Sequence, residues 1–131
     1  MSDRIEIEFP GGARVDAWIG SHRIRTDQPE SNGGSDSAPS PFALFLASLA
    51  TCAGFYALRF CQQREIDTDG LGVTMDTEWD PEKRGIATVT LEVSPPPGFP
   101  DKYEKALLRS VDQCSVKRHL MEPPELRIQV A

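Results

Sequence analysis

Residues 40–61, SPFALFLASLATCAGFYALRFC, read as one long helix with Cys52 near its middle. Ser40 is placed to cap the amino terminus and Pro41 to occupy the first helical position, a pair that favours initiation. The pattern predicts a helix from Ser40 to Arg64, and no charged residue falls between Pro41 and Leu58. The remainder of the chain is polar enough to live in water, so this apolar rod is where a core has to form. A membrane span is the competing reading. At 1.5 Å per residue the uncharged stretch rises roughly 27 Å, a little short of the roughly 30 Å hydrocarbon layer. It also contains Ser48, Thr51 and Gly54, and the flanking segments carry apolar faces that need a partner. The sequence therefore favours a buried helix of a soluble protein and no membrane partner.

Outward from the helix, short strands are expected on both sides. Ile5, Ile7 and Phe9 alternate with Arg4, Glu6 and Glu8, the period of a half-buried strand. After Pro10-Gly11-Gly12, Val15, Ala17 and Ile19 alternate with Asp16 and Trp18, and Gly20-Ser21 turns the chain into His22–Thr26. Short turns join antiparallel neighbours, so a three-stranded meander is predicted. Asp27–Ser40 is rich in Gly, Ser, Pro and Asn without periodicity, which reads as a long surface loop of the kind that is functional or mobile.

Beyond the helix, Gly72–Glu78 and Gly85–Val93 alternate as two strands of a hairpin. A second helix is expected from about Asp101, breaking near Cys114 and continuing to Leu120. Pro123-Pro124 ends it, and Leu126, Ile128 and Val130 suggest a last strand. The order βββ-α-ββ-α-β predicts an α+β fold, antiparallel sheets wrapped around a long central helix, in a single domain over residues 1–131.

Charge narrows the function classes. Fourteen basic against twenty acidic residues give a formal charge of −6, which argues against nucleic acid, whose affinity comes from clustered Lys and Arg. Lys117, Arg118 and His119 are adjacent but too few to form a footprint. MSDRIEIEFP lacks the apolar core of a secretory leader, so a cytoplasmic location is expected. In that compartment a cysteine pair that oxidises is catalytic or sensing rather than structural.

Three cysteines are present, with no CxxC. Cys52 and Cys61 share the helix nine residues apart, about 13.5 Å of rise, too far for a disulfide. Cys61 reads as a small core residue. Cys114 has the better intrinsic setting for a thiolate: a helix restarting at Ser115 would aim its positive end at the sulfur, with Lys117, Arg118 and His119 adding charge. Cys52, surrounded by Leu49, Phe55 and Tyr56, should have a raised pKa unless a cation reaches it. On the residues alone, each thiol reads first as a buried small hydrophobe. Metal binding fares worse, since His22 and His119 lack ligand spacing to the cysteines. Phosphate-loop, dinucleotide and Gly-x-Ser-x-Gly patterns are missing, and no cofactor is expected.

Taken together, SPFALFLASLATCAGFYALRFC resembles the central helix of the OsmC-like superfamily, and CSVKRHL resembles its second cysteine motif. The spacing of the two motifs and the strand order fit over nearly the whole chain. The resemblance implies an intertwined homodimer that reduces organic hydroperoxides. Cys52 would attack the peroxide and become a sulfenic acid, which Cys114 would resolve as a disulfide, regenerated by an unidentified dithiol reductant. It reverses the ranking of the two thiols reached from the residues alone. It also implies an arginine from the amino-terminal strands beside Cys52, with Arg14 the first candidate for substrate binding and Arg23 and Arg25 its rivals. The peroxidase branches place a glutamate close after the helix-initiating proline. This chain has Pro41-Phe42-Ala43-Leu44 there, so it resembles a less characterised branch with an incomplete charge relay. The competing function is a non-catalytic binding module for a lipophilic ligand, held in an apolar pocket beside Cys52 lined by Phe42, Phe45, Phe55 and Tyr56.

Overall fold

The computed structural model describes residues 4–131, so the amino-terminal segment read for a leader lies partly outside it. Contacts divide the chain into two compact units, Met1–Ala47 and Ser48–Ala131.

The first unit is the expected meander. Strands β1 (Ile5–Gly11), β2 (Arg14–Ile19) and β3 (His22–Thr26) pair antiparallel in the order β1-β2-β3. Its burial departs from expectation. Ile5, Ile7 and Phe9 stay exposed, while Asp16 is 3% exposed, held by Arg23 through Nε and Nη2 at 2.9 and 2.6 Å. Asp16 is thus the one buried residue of β2, paired with Arg23, whose guanidinium also lies over the Trp18 ring.

The Asp27–Ser40 segment is ordered by one buried carboxylate. Asp27 accepts hydrogen bonds from the amides of Gln28 (2.8 Å), Ser37 (3.0 Å) and Ser35 (3.3 Å) and from the Ser37 hydroxyl (2.5 Å). The Ser37 hydroxyl and amide lead in holding that carboxyl down at about 2. Gly34 is required here, since a Cβ on it would sit 1.9 Å from the Gln28 carbonyl oxygen.

Helix α1 (Pro41–Gln63) starts as read, with the Ala43 amide donating to Ser40 Oγ at 3.2 Å. In the second unit its buried stripe is Leu49, Ala53, Ala57, Phe60 and Cys61. Phe55 on another face is exposed, as are Phe42 and Phe45 nearer the helix start. The helix is thus buried along one side, not all round. By length and composition alone it could also cross a membrane.

Strands β4 (Gly72–Asp80) and β5 (Gly85–Ser94) form the expected hairpin, with Val73 opposite Val93 and Met75 opposite Leu91. Val73, Leu91 and Val93 pack against a core of Ala53, Ala57, Phe60, Leu107 and Val111. Leu107 and Val111 belong to α2 (Glu104–Val111), which follows a short turn of 3-10 helix at Asp101–Tyr103. The predicted break falls at Cys114, and α3 (Ser115–Met121) follows it. The predicted last strand is not formed. Leu126, Ile128 and Val130 alternate as read but are 84%, 89% and 98% exposed, and among the described residues no strand pairs with them.

Candidate functional site

The two thiols meet, within the second unit. Cys52 is carried on α1, and Cys114 ends the turn between α2 and α3, where it is 2% exposed. Leu107 and Val111 bury α2 beside Ala53 and Ala57 of α1. The same packing that forms the core therefore brings the turn after α2 to Cys52. All three cysteines are free thiols.

Their environments are unequal. Burial works against ionisation of Cys52. Against it stand hydrogen bonds from the Cys114 thiol, the amides of Val116 and Ser115, and the Ser115 hydroxyl, which together hold Cys52 below the ordinary thiol range. Cys114 is raised, first by burial and then by donating its proton to Cys52. The amides of Lys117 and Val116 oppose that rise without reversing it. Burial also raises Cys61, partly offset by Arg64.

The ranking of the two thiols reached from the residues alone is corrected. The opening of α3, assigned from sequence to Cys114, serves Cys52 as well, so the sulfur in mid-helix is the more acidic. Within the second unit the groups that lower it are neutral donors. The basic cluster is directed elsewhere, too. Lys117 pairs with Asp112, and His119 Nδ1 lies 2.7 Å from the carbonyl of Ser115. Ser115 was missed as a contributor. Its only sequence signal was a hydroxyl directly after a cysteine at a helix start.

A cavity of about 570 Å³ opens beside Cys114. Leu49, Val89, Leu91, Leu108, Val111, Leu120 and Met121 make it mainly apolar, with Arg109, Asp112 and Lys117 as its polar groups. It has none of the aromatic residues expected to line it. Phe55 and Tyr56 pack edge to face with ring centres 5.5 Å apart, and Phe42 stacks on Phe45 at 5.7 Å.

The candidate arginines lie on β2 and β3 of the first unit. Arg14 uses Nε to hold the Gly11 carbonyl at 3.3 Å, Arg23 is engaged by Asp16, and Arg25 has no ion pair among the described residues. The first turn of α1 carries no acidic residue. Among the described residues no group of three His, Cys, Asp or Glu could hold a metal.

The second unit thus holds a hydrogen-bonded thiol pair between a long helix and a helix break, in a chain that mixes helices with antiparallel sheets. The chain belongs to the OsmC-like protein family, whose model matches residues 34–129. Solved structures agree on the fold. A protein of Psychrobacter arcticus, described as an osmotic stress induced and detoxification response protein, is 24% identical with a TM-score of 0.74, over 90% of this chain and 87% of that one. An OsmC-like protein of Mycoplasma pneumoniae is 16% identical with a TM-score of 0.72, over 94% and 89%. An organic hydroperoxide resistance protein of Legionella pneumophila is 18% identical with a TM-score of 0.62, over 92% and 89%. A comparison with curated proteins finds no match.

Proposed function

We propose that this protein reduces organic hydroperoxides by thiol chemistry, with Cys52 as the attacking sulfur and Cys114 as the resolving one. The observation that carries this reading is the unequal thiol pair: Cys52 receives the Cys114 proton as a hydrogen bond and is the more readily ionised of the two. In the first step the Cys52 thiolate attacks the terminal peroxide oxygen. The O–O bond breaks, the alkoxide leaves and takes a proton as the alcohol, and Cys52 becomes a sulfenic acid. In the second, Cys114 sulfur attacks Cys52 sulfur, releasing water and forming a disulfide. An external dithiol then returns both thiols by exchange.

The name of the Legionella pneumophila relative supports the substrate class. So does the cavity beside Cys114, whose leucine, valine and methionine lining suits an alkyl group better than hydrogen peroxide. The two units act as one domain over residues 1–131, in a cytoplasmic homodimer. Exposed Phe42, Phe45 and Phe55 on α1 and the uncovered Leu126, Ile128 and Val130 support a two-fold partner that covers them.

Peptide mapping by mass spectrometry after treatment with cumene hydroperoxide tests the chemistry. Wild type should yield a Cys52–Cys114 disulfide and cumyl alcohol. Cys114→Ser should stop at a Cys52 sulfenic acid, and Cys52→Ser should be inert. Turnover by Cys52→Ser equal to wild type, or a linkage through Cys61, overturns it. The same cavity supports a second reading, a carrier of a lipophilic molecule whose thiols do not turn over. Retention of an alkyl ligand with no peroxide consumption would select that reading.

A further inference from the structure

The first unit holds a second cavity, of about 310 Å³, with no thiol in its lining. Its wall follows from the pleat. Arg14, Asp16 and Trp18 project on one face of β2, and the pairing of Asp16 with Arg25 and of Trp18 with Arg23 puts both β3 arginines on that same face. Pro10, Thr26, Ser37 and Ala38 complete the lining.

Three arginines therefore surround one carboxylate, in a chain whose formal charge is −6. One oxygen of that carboxylate, Oδ2, is already taken twice over. Asp16 bonds Arg23 through two nitrogens and not Arg25, its direct opposite in the register. The lining hydroxyls are engaged as well, Thr26 with the Val15 carbonyl and Ser37 with Asp27. Apart from Asp16 Oδ1, what remains are donors. Arg14 engages only Nε, which leaves both terminal nitrogens, and Arg25 makes no hydrogen bond or ion pair among the described residues. Two guanidinium forks without a carboxylate of their own suit the paired oxygens of a carboxylate or phosphate. The cavity has room for about ten water molecules at ~30 Å³ each, more than a bare inorganic ion fills.

We propose that the cavity bordered by Arg14 and Arg25 is a binding site for a small organic oxyanion, held by these two guanidinium groups. It goes beyond the thiol chemistry, because no sulfur takes part in holding the ligand.

Calorimetric titration of the intact, reduced protein at low salt tests it, with inorganic phosphate, phenyl phosphate and benzoate as probes. At least one organic probe should bind, more tightly than inorganic phosphate and more weakly as salt rises. The order of phenyl phosphate and benzoate tells a phosphate ester from a carboxylate. Arg14→Gln and Arg25→Gln should each weaken binding at least tenfold, and the double variant should abolish it. Arg25→Lys should retain part, since it keeps the charge and loses the fork. Both side chains are exposed, and circular dichroism checks that the variants remain folded. Cys52→Ser should bind as wild type does, so failure of the peroxidase reading leaves this result standing. Absence of heat with every probe, undiminished binding in the double variant, or loss of binding in Cys52→Ser would overturn the proposal.

Discussion

Two adjacent leucines on α2 should differ sharply when cut back to alanine, and the difference bears on the thiol pair. Leu107 is 2% exposed and packs with Ala53, Ala57, Phe60 and Val111, whereas Leu108 is 58% exposed. Removing buried methyl groups costs their transfer energy plus that of the cavity left behind, about 2–5 kcal/mol for Leu→Ala. Leu107 belongs near the upper part of that range. Two of its neighbours are alanines at 0% exposure, already too short to reach into the gap. We expect a loss of about 4 kcal/mol for Leu107→Ala and less than about 1 kcal/mol for Leu108→Ala. For a chain of this length each kcal/mol shifts Tm by roughly 3–4 °C, so Leu107→Ala should melt about 12–16 °C below wild type. Urea and thermal unfolding at one fixed protein concentration measure both, since dissociation of a dimer would make stability concentration-dependent. Because α2 leads directly into Cys114, Leu107→Ala should also loosen the contact with Cys52 and slow disulfide formation. A loss under about 1 kcal/mol, or equal losses at the two positions, would refute the assignment of the core.

Iodoacetamide near neutral pH should alkylate Cys52 before Cys114, because hydrogen bonds hold the first thiol down while burial raises the second; faster labelling of Cys114 would contradict the asymmetry. Asp27 has a folded pKa below its ordinary one, so its stabilising effect is complete above the ordinary value of 3.8 and disappears as pH falls toward about 2. Acid unfolding of wild type and Asp27→Asn should therefore converge across that window, and a gap that stays constant would count against it. Gly34→Ala should destabilise by roughly 1–3 kcal/mol or more, read from the urea midpoint, since the new Cβ meets backbone and not a movable side chain. Ser40→Ala should cost about 1 kcal/mol through loss of the cap on Ala43, and an unchanged midpoint would refute that cap.

Local chemistry and periodicity were enough, in the sequence alone, for what depends on neighbours along the chain. Ser40-Pro41 marked the start of α1, alternation marked β1 to β5, and Cys114 marked the break between α2 and α3. The two cysteine motifs were legible too, and with them the family. Tertiary structure decided what depends on groups far apart in sequence. Periodicity on β2 pointed to the apolar face as the covered one, yet Asp16 is the buried residue, because Arg23 on the next strand neutralises it there. Leu126, Ile128 and Val130 alternate like a strand, but a strand exists only where another backbone shares its hydrogen bonds, and among the described residues none pairs with this segment. Most of all, the order of acidity of Cys52 and Cys114 could not be read locally. A thiol in mid-helix has no free amides of its own turn to bond, so its pKa depends on what the fold brings to it. Here that is the Cys114 thiol together with the amides and hydroxyl at the start of α3, more than sixty residues away along the chain.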